Sequence, residues 1–285
     1  MKNHKYIFNA LFILCVLFSN FTQASPDEVS IKKLLKLSGL TAAIEQFPQM
    51  ISEGFFEGFA EEVTVTDDEK KVLMDDINQS FNASIFLNQI QSRVEKDLNQ
   101  DELMTLLKWY ESDLGKLITK AELKSTTDSA YNEIMSNAIA LMKDTKRLEM
   151  AKKFDELLDQ TNRAMKLQKK IALSVTTGII SSLESEQSDK LLAEFEAEIA
   201  GMEAMMRIAT QQYIYVSFIY TYQDINDSDL GEYVTFLESN TYKKFDNAIL
   251  DGLDNGFDVA IPNFTKTLAS TIQSIIERSI SEQSN

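Results

Sequence analysis

The feature that most constrains this chain is that it contains one stretch twice. The first copy opens Leu98-Asn99-Gln100-Asp101-Glu102-Leu103 and closes Trp109-Tyr110-Glu111-Ser112-Asp113-Leu114-Gly115-Lys116. Ile225-Asn226-Asp227-Ser228-Asp229-Leu230 and Phe236-Leu237-Glu238-Ser239-Asn240-Thr241-Tyr242-Lys243 repeat it 127 positions later. Asn99/Asn226, Leu103/Leu230, Glu111/Glu238, Ser112/Ser239 and Lys116/Lys243 are identical pairs. Earlier in the chain, Ala151 to Leu167 aligns with Ile31 to Phe47 at an offset of 120, pairing Lys152-Lys153 with Lys32-Lys33 and Thr161 with Thr41. The two offsets differ by seven residues, almost two helical turns, so the insertion can lengthen a helix and rotate its buried stripe by only about 20°. A repeat of this kind predicts two related halves, 25–145 and 146–285, behind a segment 1–24 of different character.

Both copies carry the same helix-start chemistry. Asn99 and Asn226 can accept from the free N–H groups of the next turn, and Glu102 and Asp229 stand three positions on, where an acid reaches back to the cap. Leu98 with Leu103, and Ile225 with Leu230, have the spacing of a hydrophobic staple. Leu103, Leu106, Leu107, Tyr110, Leu114, Leu117 and Ile118 then recur at steps of three and four, the stripe of an amphipathic helix; Leu230, Tyr233, Val234, Leu237, Thr241 and Phe245 keep it in the second copy. Ser112 and Ser239 interrupt the stripes and predict a bend at which the helix restarts with Ser as its cap. Gly115 predicts a place where another helix can approach closely, although Tyr242 fills that place in the second copy. Trp109-Tyr110-x-Ser112 has two readings, a ligand-stacking or catalytic corner, or an aromatic anchor beside a capped kink. The anchor is preferred, because the chain has one Trp and no base accompanies the Ser.

Trp109-Tyr110-Glu111-Ser112-Asp113-Leu114-Gly115 resembles the Phe-Tyr-x-Ser-Pro-x-Gly signature of domain-of-unknown-function family 2059, found in secreted bacterial proteins, with Trp for Phe and Asp for Pro. Leu34-Leu35 followed by Gly39 is similar to that family's opening helix. The resemblance spans roughly residues 30 to 140; the second copy lacks both the Tyr and the Gly and is tied to the family through the internal repeat. It implies a helical protein of the bacterial envelope and brings no catalytic residues with it.

Met1 to Ala24 reads as a targeting segment. Lys2 and Lys5 precede a short apolar run from Ala10 to Phe18, and Thr22-Gln23-Ala24 offers small residues before a cut, which places the mature start at Ser25 and the protein in the periplasm or outside the cell. The run is shorter than the roughly 20 residues a bilayer span needs. Cleavage removes the only His, His4, and the only Cys, Cys15, and with them thiol or imidazole catalysis, disulfides and Cys/His zinc sites. The mature balance becomes 26 basic against 44 acidic side chains, a formal −18, which disfavours nucleic acid and anionic lipid as partners.

Three Pro and nine Gly leave little turn chemistry for a sheet, and apolar residues recur at helical steps almost throughout, so the class is all-α, a helical bundle built from two sequence-related repeats. Ser25-Pro26-Asp27-Glu28 predicts a helix start, and Ser38-Gly39 its end. Leu40 to Phe59 forms a long stripe with a kink near Pro48, on which Gly54 and Gly58 offer a close-packing face inside the bundle. Thr66-Asp67-Asp68-Glu69 is a capping box for a helix running to about Asp97. Tyr213 to Tyr222 has strand-like composition, but its partner Phe86 to Glu95 is amphipathic, and the stretch is read as a largely buried helix. Asp251-Gly252-Leu253-Asp254-Asn255-Gly256 imitates a calcium loop and fails at Leu253 and Pro262, where oxygen ligands are required; it is read as a helix break. A last amphipathic helix follows, and no cofactor or metal site is expected.

The function expected from these features is non-catalytic: an envelope module acting through contacts with a protein partner, with no nucleic acid and no stable membrane insertion after cleavage. The alternative is a carrier of a small apolar or aromatic ligand between the halves, with Trp109, Tyr110, Tyr213 and Tyr220 as its candidate contacts. Asn99, Ser112, Gly115, Asn226 and Ser239 are assigned to the structural motif.

Overall fold

The computed structural model describes residues 27–59, 65–182 and 187–283, and among these residues the only regular structure is helical, as the sequence predicts. The targeting segment lies outside the described residues. The first half forms α1 (Glu28–Leu37), α2 (Leu40–Glu45), α3 (Phe47–Phe59), α4 (Asp67–Ser80), α5 (Ala83–Asp97), α6 (Gln100–Glu111), α7 (Asp113–Ser125) and α8 (Asp128–Leu141). The second forms α9 (Thr145–Leu158), α10 (Gln160–Ser182), α11 (Ser188–Thr221), α12 (Asp227–Glu238) and α13 (Asn240–Gln283).

The second half has fewer, longer helices because it lacks residues that stop them. Pro48 sits in the first turn of α3, where it needs no N–H partner, and separates that helix from α2. The equivalent Lys166-Leu167-Gln168 lets α10 run on. Asn82 caps α5 by accepting from the Ser84 N–H at 2.9 Å, so the helix predicted from Thr66 to Asp97 is in fact two. The equivalent Ala209 has no acceptor, and α11 is continuous through it, carrying Tyr213 to Thr221 as helix.

Several caps follow the predicted chemistry. In the Thr66 and Asn99 boxes the side chain takes an N–H three residues on while Glu69 or Glu102 takes the N–H of the cap. Asn226 accepts from the Asp229 N–H at 3.0 Å, but Asp229, one methylene shorter than Glu102, meets the Asn226 side-chain amide instead of the backbone. Asp27 caps α1 by accepting from the Ser30 N–H, so that helix begins at Glu28; Ser25 and Pro26 lie outside the described residues. Gly39 (φ 77°) and Asp159 (φ 52°) both turn left-handed between two helices, 120 positions apart. Gly needs no side-chain room there, and Asp is among the residues that tolerate this region.

Two readings of glycine need correction. The predicted break at Asp251–Gly256 does not occur, because those residues lie inside α13. Gly252 and Gly256 are where α5 comes closest: a Cβ would stand 2.5 Å from Ile90 Cα at one and 2.4 Å from the Phe86 ring at the other. Close packing of the two helices outweighs the poor helix propensity of Gly. Gly54, by contrast, is exposed, with nothing within 4 Å of an added Cβ, so it marks no packing face; the surroundings of Gly58 lie outside what is described.

The halves exchange their helices after the kink. α7 of the first half packs on α11 of the second, while α13 of the second packs on α4 and α5 of the first. One core accordingly joins Leu34, Ile44 and Phe86 to Phe245, Phe257, Phe264 and Leu268. A second joins Phe154, Phe218, Tyr233 and Leu237 to Ile118, and a small third joins Ala130 and Ile134 to Val216 and Tyr220. No helix among the described residues is long and apolar enough to cross a membrane.

Candidate functional site

The two kinks set the centre of the molecule. Ser112 ends α6 and caps α7: its Oγ accepts from the Gly115 N–H at 3.0 Å and donates to the Trp109 carbonyl at 2.6 Å. Ser239 does the same between α12 and α13, accepting from the Tyr242 N–H at 3.2 Å and donating to the Phe236 carbonyl at 2.6 Å. Each hydroxyl is thus committed to the backbone of its own kink. Gly115 corrects an expectation. What presses on it is the end of α6 rather than a foreign helix, and a Cβ would stand 2.1 Å from the Trp109 carbonyl oxygen.

The kinks turn Trp109 and Phe236, equivalent positions of the repeat, toward one another, and their rings stack at 4.2 Å with 8° between planes. Trp109 therefore serves as the anchor at the junction of the halves.

Beside that junction lies a half-open cavity of about 450 Å³ with walls from both halves. α6 supplies Tyr110, α7 Glu122, α9 Phe154 and Asp155, α12 Tyr233, and α13 Tyr242, Phe245 and Ile249; Tyr213, Ser217, Phe218 and Tyr222 come from the end of α11. Of the four residues expected to contact a ligand, Tyr110 and Tyr213 line this cavity. Trp109 does not line it, and Tyr220 points elsewhere, its hydroxyl donating to Glu133 on α8 at 2.8 Å.

Glu122 organises the polar part. Its Oε1 accepts from the Tyr222 hydroxyl at 2.6 Å and from the Tyr233 hydroxyl at 2.7 Å. Burial pushes the Glu122 carboxyl above its ordinary value, against the two tyrosine hydrogen bonds, which favour the ionised form. Burial and then the neighbouring Glu122 charge push the Tyr222 and Tyr233 hydroxyls well up, so both stay protonated donors. Asp155 is satisfied locally, accepting from the Thr161 N–H and from its hydroxyl at 2.7 Å each.

Glu122, Tyr233 and Tyr242 are not among the residues that sequence patterning singles out as ligand contacts. A signal for Glu122 exists. It continues the Leu114–Ile118 steps of four on the apolar stripe of α7, and its equivalent in the second half is Ile249, which lines the same cavity. An acid on a buried stripe, where the repeat carries an aliphatic residue, is a departure the sequence displays. Tyr242 stands where the first copy has Gly115, and it lines the cavity.

The arrangement defines an all-helical protein with an aromatic cavity between two halves. Residues 89–144 match the model of a family described as an uncharacterized protein conserved in bacteria, domain-of-unknown-function family 2059. That stretch, from within α5 to the cap of α9, holds the Trp109–Gly115 signature, Tyr110 and Glu122, while the α11, α12 and α13 walls of the cavity lie beyond it. The similarity seen at Leu34 to Gly39 also falls outside it. No curated protein and no solved structure matches the chain.

Proposed function

We propose that this is a non-catalytic binding protein of the bacterial envelope whose cavity holds a small apolar or aromatic molecule between the two halves. The observation that carries this reading is the cavity itself. Its 450 Å³ fall within the size of small-molecule sites, roughly 300–1,000 Å³, and its wall combines aromatic surface with a few polar groups that could orient a guest. An envelope location is supported by the Lys2, Lys5 and Ala10–Phe18 pattern of the leader. Native mass spectrometry of the exported chain tests both points. The expected spectrum starts at Ser25 and carries a small-molecule adduct, which Ser217→Phe, filling the cavity from α11, removes. A spectrum free of adduct for both chains counts against the reading.

A second reading, contact with an envelope protein, is favoured by a different surface. Tyr131, Met135 and Ile139 stand one turn apart on α8 and are 51%, 52% and 81% exposed; Met205 and Ile208 on α11 are 67% and 58% exposed. Apolar side chains aligned in this way on an outer helix face are a feature of partner-binding surfaces. A protein adduct in the same spectrum, lost in Met135→Glu and kept in Ser217→Phe, would support it.

A further inference from the structure

We propose that the guest of the cavity is an organic monocation, an ammonium group on an apolar or aromatic body, with Glu122 as its counter-charge. The inference rests on the cavity being a ligand site and adds the chemical class of the ligand.

The charge balance of the wall is one-sided. Glu122 and Asp155 line the cavity, and no Lys, Arg or His does among the described residues. The Asp155 carboxylate is taken up by the Thr161 N–H and hydroxyl, which leaves Glu122 as the group with capacity to spare. Both of its tyrosine partners converge on Oε1, so Oε2 has no hydrogen-bond partner among the described residues. Oε2 is not sealed in the wall and remains accessible, so an ammonium N–H can be placed on it, supplying a counter-charge beside the aromatic rings.

The rings around it favour the same guest. Phe154, Phe218 and Tyr222 cluster with centroids 4.5–5.8 Å apart, and Tyr233 lies 5.7 Å from Phe154. Aromatic faces attract cations, most strongly where water is excluded. An anionic guest would meet two carboxylates and no base, and a neutral guest would leave the Glu122 charge unmatched. At the position equivalent to Glu122 the second half presents Ile249, so the cavity has one charged and one aliphatic wall, the pattern of a cation carrying an apolar body.

Calorimetric titration of the full chain with three probes of like shape tests this: 2-phenylethylammonium, 2-phenylethanol and phenylacetate. The ammonium is expected to bind at least tenfold more tightly than the alcohol, and phenylacetate more weakly than either. Glu122→Gln keeps an acceptor for the tyrosines and should abolish that preference, and a far-ultraviolet circular dichroism spectrum matching wild type verifies that its fold is intact. Equal binding of ammonium and alcohol to the wild type, or a preference that survives Glu122→Gln, overturns the charge inference and leaves the cavity standing as a ligand site. Absence of binding by all three probes, with Ser217→Phe giving identical traces, removes the cavity reading and the inference together.

Discussion

Trp109 and Phe236, 127 positions apart and equivalent in the sequence repeat, stack face to face at 4.2 Å with 8° between their rings. A pair of equivalent residues meets in this way when two related elements face each other across a local twofold. α7 rests on α11 and α13 on α5, so each post-kink helix lies on a helix of the opposite half. The stack is therefore a junction through which both halves are stabilised.

The junction makes a quantitative prediction. Trp109→Ala and Phe236→Ala should each destabilise the protein by about 3 kcal/mol, the scale of large aromatic truncations. The double variant should fall short of additivity by about 0.5–1.5 kcal/mol, the worth of an aromatic pair beyond its buried area. Urea unfolding followed by far-ultraviolet circular dichroism measures this, because Trp109 is the only Trp and its removal silences tryptophan fluorescence. Full additivity would mean that the rings merely share a neighbourhood.

The serine kinks can be separated from a chemical role by substitution. Ser112→Ala loses both the cap to Gly115 and the bond to the Trp109 carbonyl and should cost about 0.5–2 kcal/mol. Ser112→Asp restores the acceptor without the donor and should recover most of that loss. Ser239→Ala should behave alike, given its matching bonds at 3.2 and 2.6 Å. Thermal melts of the four chains decide it, and labelling of Ser112 by a fluorophosphonate would contradict the hinge assignment.

Glycines in this fold divide into those that hold space open and those that merely weaken a helix. An Ala side chain at Gly115 would put Cβ 2.1 Å from the Trp109 carbonyl oxygen, so Gly115→Ala must open the kink and should be strongly destabilising. Gly231 lies inside α12 with nothing within 4 Å of an added Cβ. Gly231→Ala should raise stability by about 0.5–1 kcal/mol through helix propensity. Melting temperatures moving in opposite directions for the two variants are the expected result.

Much of this architecture is legible in the sequence because it is local. Asn99, Asn226, Ser112 and Ser239 act on backbone groups within three residues of themselves, so their spacing alone reveals the caps and kinks. Gly252 and Gly256 read as a break because propensity is also local, whereas the Ile90 backbone and the Phe86 ring that pack against them are far away in sequence. The cavity stays hidden for the same reason. Tyr110 and Tyr233 look like ordinary stripe residues and Tyr242 like a replacement for Gly115, and only the crossing of the halves brings them around Glu122.

Glu122 finally gives the unliganded protein a pH dependence whose sign follows from its position. Burial holds its folded-state value above that of the unfolded chain, where the ordinary value is 4.5. Below that ordinary value the carboxyl is protonated in both states and contributes no difference. As pH rises through it, the unfolded chain loses the proton first, so the wild type loses stability until the raised folded value is passed, after which the penalty is constant. Each unit of upward shift corresponds to about 1.4 kcal/mol. Tyr110, Tyr222 and Tyr233 are pushed well above their usual range and take no part in this window. Glu122→Gln has no proton to lose there. Its stability relative to wild type should rise between pH 4.5 and the folded value and level off beyond it, with little change below. Urea titrations of both chains from about pH 3.5 to 8 measure the difference directly. A difference that stays flat across that range would show that the two tyrosine hydrogen bonds balance the cost of burial, and one that shrinks with rising pH that they outweigh it.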